Sequence, residues 1–314
     1  AELAQAQMHA IQTSGNCIRN VTADHLAGVA PDEIADPRVY CEIIRQWSTF
    51  HPEFSYLPRK FKIAVTGAAH DRAAAQVHDI GLNLLRNQQG EIGFRVLVGG
   101  GLGRTPIIGQ VIREFLPQRD LLSYLEAILR VYNLHGRRDN LYKARIKILV
   151  KALGAAKFRE QVEAEWQCIK DSGLVLDDAE VERVQRFFAP PPYDPAAADD
   201  TGLLQSIKSD PGFATWVRHN VAEHKVAGYR NVFVALKEPG TPPGDITAEQ
   251  MDALADLADR YSFGQIRSTH HQNLLLADVC QADLHALWRE LAALKLAAPV
   301  IGTLADMICC PGLD

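Results

Sequence analysis

The 314 residues are 47% apolar and 23% charged, an ordinary globular composition that excludes a mostly disordered chain and leaves room for two or three domains. Thirty-eight acids against 33 bases give a formal charge of −5, which argues against a nucleic-acid partner and leaves only local basic patches. Six cysteines without a CxxC pair are too sparse for a disulfide scaffold, no apolar run nears the roughly 18–20 residues of a membrane span, and no signal segment opens the chain, so a cytoplasmic protein with no membrane partner is expected.

In chain order, residues 1 to about 168 read as α/β. Lys62–Thr66 and Ile92–Val98 are short β-rich runs bounded by glycine and predict strands. Asp120–His135 carries Leu121, Leu122, Leu125, Ile128, Leu129 and Tyr132 at helical spacing. Arg137–Leu153 predicts a second helix stopped by Gly154, and Lys157–Gln167 a third. The proline- and alanine-rich stretch 186–202 reads as a linker. Beyond it, Asn231–Lys237 predicts a strand. Thr247 with Gln250 forms a capping box for a helix to Tyr261, Gln265–Thr269 and Asn273–Val279 predict strands, and Ala282–Leu294 a helix. The β-α-β-β-α order is most of a ferredoxin-like split βαβ unit. The fold class is therefore α+β, with a mixed α/β domain over 1–185, the linker 186–202, a ferredoxin-like half-domain over 203–283, and the start of a further domain over 284–314.

Five groups of residues carry chemistry. Lys60 and Lys62 flank Phe61 at the start of a strand, so both ammonium groups point to one face; they mark either an anion site or a solvated edge strand guarded by lysines. Gly99-Gly100-Gly101 follows a strong strand, with a helix expected from Thr105; the loop fails the GxGxxG fingerprint and reads as a close backbone approach to an anion or flat cofactor, or as a tight turn. Lys143, Lys147 and Lys151 fall at i, i+4 spacing as an exposed basic stripe, with Arg145 off it and free to point inward. Arg267 to Asn273 joins two strands with a dense donor set including His270 and His271. Cys17, Cys41, Cys168 and Cys280 read as small buried hydrophobes, whereas the adjacent Cys309-Cys310 before Pro311 is of a kind found near iron–sulfur ligands.

Taken in order, these segments resemble the sirohaem- and 4Fe–4S-containing sulfite and nitrite reductases over Ser14 to Asp314. Asn16-Cys17-Ile18-Arg19-Asn20-Val21 is similar to the family's arginine-asparagine-valine element, and Leu57-Pro58-Arg59-Lys60-Phe61-Lys62 to its most specific signature. Phe94–Gly101 resembles the strand and triple-glycine loop beneath the macrocycle, and Arg267–Leu274 an element of the ferredoxin-like half. The resemblance implies that Arg19, Lys60 and Lys62 are the active-site cations on sulfite or nitrite. It implies that Asn20, Arg59, Gly99, Gly100, Gly101, Arg145, Arg267, Gln272 and Asn273 contact sirohaem. Cys310 matches the first cysteine of a C-x5-C cluster motif whose partner would fall two residues past Asp314. The implied activity is six-electron reduction of sulfite to sulfide, or of nitrite to ammonia, fed by ferredoxin or a flavoprotein reductase; a reading from another class is a cofactor-free module that binds an anion or an acidic partner. The resemblance also places one ferredoxin-like half before Ser14 and further cluster cysteines after Asp314, so the chain is expected to be a central piece of a longer protein.

Overall fold

Phe61, Ile63 and Val65 alternate along Phe61–Thr66 and are completely buried while Lys62 between them is half-buried, because a two-residue period sends alternate side chains to one face of a strand. This strand is β2 of a computed structural model that describes residues 2–6 and 8–310. Pro311 and Asp314, at the end of the expected 284–314 segment, lie outside the described residues. The chain divides into two units: residues up to Ala23 with Ile34–Ala189, and Asp24–Glu33 with everything from Pro190 on.

In the first unit, α1 (Glu2–Gln5), β1 (Ile18–Thr22) and α2 (Pro37–Ser48) precede β2. After it come β3 (Ile80–Arg86), β4 (Ile92–Val98), β5 (Gln110–Pro117), α3 (Leu121–His135), α4 (Ile146–Leu153), α5 (Ala155–Ile169) and α6 (Asp178–Gln185). The sheet runs β1-β2-β3-β4-β5, parallel from β1 to β3 and antiparallel from β3 to β5. Phe61, Ile63, Leu82, Phe94 and Val96 from the sheet meet Tyr124, Ile128 and Tyr132 of α3 and Phe158 of α5 in one core. α2 begins where the Asp36 carboxylate accepts the Arg38 N–H, with Pro37 at the first helical position.

Several expectations are corrected here. β2 pairs on both sides, so Lys60 and Lys62 do not guard a sheet edge. The helix expected from Thr105 is absent: a Gly101–Ile107 bridge closes a loop that leads into β5. The helix expected over Arg137–Leu153 starts only at Ile146. Gly136 ends α3, and Asp139 and Asn140 favour local side-chain bonds over helix, with Asn140 capping a single turn at Leu141–Lys143. The basic stripe therefore does not exist: Lys143 precedes the helix, and Lys147 is only 7% exposed while Lys151 faces outward. Cys168 is exposed on α5 rather than buried.

The second unit contains α7 (Thr201–Ser209), α8 (Pro211–Asn220), β6 (Val221–Glu223), β7 (Tyr229–Val234), α9 (Ala248–Tyr261), β8 (Arg267–Ser268), β9 (Leu274–Cys280) and α10 (Leu284–Ala293). Its antiparallel pairings follow the order β6-β7-β9-β8. β9 is thus inserted between β7 and β8, the arrangement of a split βαβ unit. Both halves of the Thr247–Gln250 capping box are present. Leu284, Leu287 and Leu291 of α10 join the core of this same unit with Trp216, Val232 and Leu276. The proline-rich stretch lies against the unit: the Tyr193 hydroxyl donates to Asp278, and Gly228 leaves room for the Ala197 backbone, which a Cβ there would meet at 2.4 Å.

The architecture is α+β, with one mixed sheet, one antiparallel sheet and a ferredoxin-like half-domain. Among the described residues, no helix is long and apolar enough to cross a membrane.

Candidate active site

Two segments of the first unit are laced together by their backbones. The Leu57 N–H donates to the Asn16 carbonyl at 2.8 Å and the Phe61 N–H to the Cys17 carbonyl at 2.9 Å. Asn20 then stands opposite Lys62 in the ladder, past a bulge that contains Arg19. The Arg19 Nε donates to the Gly15 carbonyl at 2.9 Å. Arg19, Arg59, Lys60 and Lys62 are half-buried, and Asn20 is exposed.

The charged groups that act most strongly on Lys60 are cations. Burial first, then the positive charges of Arg145, Arg19, Lys62 and Arg59, push its ammonium below the ordinary lysine value. Like charges so placed stay together only where the fold compels them or an anion joins them.

The carboxylate bonded to this cluster is that of Asp79, at the turn into β3 and completely buried. Its Oδ1 accepts from the Arg145 Nε at 3.0 Å and Nη2 at 2.8 Å, and its Oδ2 accepts the Lys62 N–H at 2.9 Å. Burial pushes the Asp79 carboxyl up, and the Arg145 guanidinium opposes that push. Arg145 sits at the N-terminus of α4 and points inward.

The three glycines are buried by their own chain. The Gly99 N–H donates to the Asp79 carbonyl at 3.0 Å. A Cβ at Gly100 would lie 2.5 Å from the Gln76 and His78 carbonyl oxygens, and one at Gly101 would lie 3.2 Å from the Arg145 Nη2 and 3.0 Å from the Lys147 Cδ. The loop beyond is held by Lys147, whose Nζ donates to the Leu102 carbonyl at 3.0 Å and the Thr105 carbonyl at 2.7 Å.

The remaining residues belong to the second unit. The Arg267 Nη1 donates to the His25 and Ala27 carbonyls, fastening the 24–33 segment. Gln272, in a left-handed backbone conformation at φ 56°, bonds Cys309 through both ends of its amide. Asn273 is buried, donates to Asp306 at 2.8 Å and accepts the Leu236 N–H at 3.1 Å. Cys309 and Cys310 are exposed.

Within the first unit, then, Arg19, Arg59, Lys60, Lys62, Gly101 and Arg145 share one neighbourhood. Sequence reasoning missed Asp79 and misjudged Lys147. Asp79 gives no signal beyond an acid opening the apolar run Ile80-Gly81-Leu82, and Lys147 none beyond a lysine among apolar helix residues.

A family model described as the nitrite and sulphite reductase 4Fe–4S domain matches residues 14–170, which include this whole cluster. The chain belongs to that family. A second model, the nitrite/sulfite reductase ferredoxin-like half domain, matches residues 238–294 and takes in α9, β8, β9 and α10. The chain is 28% identical to the chloroplastic ferredoxin–nitrite reductase of Arabidopsis thaliana over 92% of its own length and 44% of the relative's. It is 26% identical to the ferredoxin sulfite reductase 1 of Mycolicibacterium paratuberculosis over 96% of its length and 47% of that protein's. Among solved structures, Mycobacterium tuberculosis NirA superposes with a TM-score of 0.66 at 28% identity, over 90% of this chain and 45% of NirA. The chain spans about half the length of the curated relatives it matches.

The donor set fits a polycarboxylate macrocycle or a small oxyanion. It gathers cations whose mutual repulsion an anion relieves, and Arg145 keeps its Nη1 clear of Asp79. For an iron–sulfur cluster the described residues do not suffice: no group of three or more His, Cys, Asp or Glu gathers among them.

Proposed function

We propose that in the whole protein this chain supplies the anion-binding cations of an assimilatory sulfite reductase. The reaction is the six-electron reduction of sulfite to sulfide at a sirohaem coupled to a 4Fe–4S cluster. The observation that carries the reading is the repulsive gathering of Arg19, Lys60, Lys62, Arg59 and Arg145, within a chain of this family.

Sirohaem, when bound, would supply the redox chemistry, with the residues named below holding it and the substrate. The protein's share is charge, position and protons. Arg19, Lys60 and Lys62 hold the sulfite oxygens and stabilise the negative charge that builds on them as S–O bonds weaken. Each oxygen leaves as water, which requires protons at that oxygen. Lys60, with its acidity raised by burial and by four neighbouring cations, is well matched to give one. Arg59 and the Arg145 Nη1 take sirohaem carboxylates. Asn20, Gly99, Gly100, Gly101, Arg267, Gln272 and Asn273 remain proposed contacts of that cofactor, and Cys310 a proposed cluster ligand. Ferredoxin is the proposed electron donor, as the names of several relatives state for those proteins.

Nitrite reduction to ammonia uses the same cations and is the second reading, favoured by the nitrite reductases among the relatives. The ratio of kcat/KM for sulfite and nitrite decides between them. Replacing Lys62 with methionine tests the site itself. Sulfide production should fall on the order of 10²–10³-fold with sirohaem absorption per protein retained. Near-normal turnover in that variant overturns the assignment.

A further inference from the structure

Asp79 is an aspartate with no direct share in binding an anion, because its own charge would repel one. Its placement nonetheless touches three parts of the cationic cluster. Oδ1 takes both Nε and Nη2 of Arg145, a residue 66 positions away, Oδ2 takes the Lys62 N–H on β2, and its carbonyl takes the N–H of Gly99. The carboxylate is wholly shielded from solvent, and the Arg145 side chain is 19% exposed. A buried charge pair with one partner removed leaves an uncompensated charge, so the two hold each other in one geometry. The Lys62 bond matters separately. It fixes the strand at the residue whose side chain must share a face with Lys60, and a one-residue slip would turn that side chain away.

We propose that Asp79 is the positioning residue of this site, holding the Arg145 guanidinium in place for a sirohaem carboxylate and the Lys62 backbone so that the Lys62 ammonium converges with Lys60 on the bound oxyanion. The inference rests on the reading of the cluster as a sulfite or nitrite site. Its consequence for Lys60 is specific. The strongest electrostatic influences on Lys60 are Arg145, Arg19, Lys62 and Arg59, with Arg145 first among them, and the Asp79 carboxylate lies against both Lys62 and Arg145. Freeing the Lys62 backbone weakens oxyanion binding, while an Arg145 guanidinium no longer held by Asp79 moves away and relieves the repulsion on Lys60. The alkaline limit of anion binding should therefore move to higher pH while affinity falls. Loss of stability alone does not produce that opposed pair of changes.

The test uses the full-length, cofactor-loaded protein with inorganic sulfite as the probe. Asp79→Asn keeps the shape, but its amide cannot accept from both the Arg145 fork and the Lys62 N–H. We expect sulfite binding on the order of tenfold weaker, kcat/KM lower by on the order of 10²-fold, and the alkaline limb of the binding profile shifted upward. Asp79→Glu, which keeps the charge, should recover part of the affinity. If Asp79→Asn does not fold, the double variant Asp79→Asn/Arg145→Gln removes both buried charges, and it too should bind sulfite weakly. Wild-type affinity and pH limit in either folded variant overturn the proposal. Lys62→Met measured alongside separates the two failures: if it also binds sulfite normally, the anion-site reading fails with it, and if it alone is impaired, only the role of Asp79 fails.

Discussion

The side-chain amide of Gln272 closes a two-bond ring with the peptide of Cys309, its Nε2 donating to the Cys309 carbonyl and its Oε1 accepting the Cys309 N–H, both at 2.8 Å. The residue next to Cys310 is thereby tied to the turn between β8 and β9. Asn273 adds a second tie through Asp306, whose carboxylate also accepts the Gly302 N–H. Gln272→Ala removes both amide bonds. Hydrogen exchange at the Cys309 amide should then quicken roughly 30-fold, as expected for about 1 kcal/mol for each of the two lost bonds. Unchanged protection would mean that Asn273 and Asp306 suffice to hold the segment.

Lys60 predicts a proton count. Its pKa is lowered in the free site, so a bound oxyanion, which favours the charged form, raises it again. Between those two values anion binding must take up protons. Calorimetric titration of sulfite in two buffers of different ionisation enthalpy should show that uptake, and Lys60→Met should abolish it.

The glycines of the 99–101 loop should separate into two kinds. Gly100→Ala drives a methyl into two backbone carbonyl oxygens that cannot swing aside, and should cost about 1–3 kcal/mol in urea unfolding. Gly101→Ala presses instead on the side-chain ends of Arg145 and Lys147, which can shift. Its stability loss should be the smaller, and its effect on sulfite binding the larger.

The second unit predicts an acid response. His224 accepts the Val226 N–H at Nδ1, so its Nε2 is assigned the proton and donates to Asp278 at 3.0 Å, joined by the Tyr193 hydroxyl at 2.5 Å. Burial alone would raise the Asp278 carboxyl, but these bonds outweigh it and hold the group below its usual value. A carboxyl lowered on folding contributes stability that is complete above the unfolded value and lost as pH falls through the folded one. Asp278→Asn should therefore lower stability at neutral pH and flatten its decline below about pH 4. An unchanged acid slope would refute the link.

What the sequence determined by itself was local. The alternation of Phe61, Ile63 and Val65, the leucine period of α3 and the Thr247–Gln250 box specify elements within a turn or a few strand residues, and the order of the Asn16–Val21 and Leu57–Lys62 motifs carried the family. The tertiary structure decided the rest. Asp79 reaches Arg145 across 66 positions, Lys147 reaches the Leu102 and Thr105 carbonyls, and the 24–33 segment leaves the first unit to be fastened by Arg267 in the second. The basic stripe failed for the same reason: helical spacing assumed a helix through 137–145, where side chains of Arg137, Asp139 and Asn140 bond locally instead. Hydrophobic period and capping act between near neighbours and are legible in order along the chain, whereas a buried ion pair is decided by which distant residues the packed core brings within 3 Å.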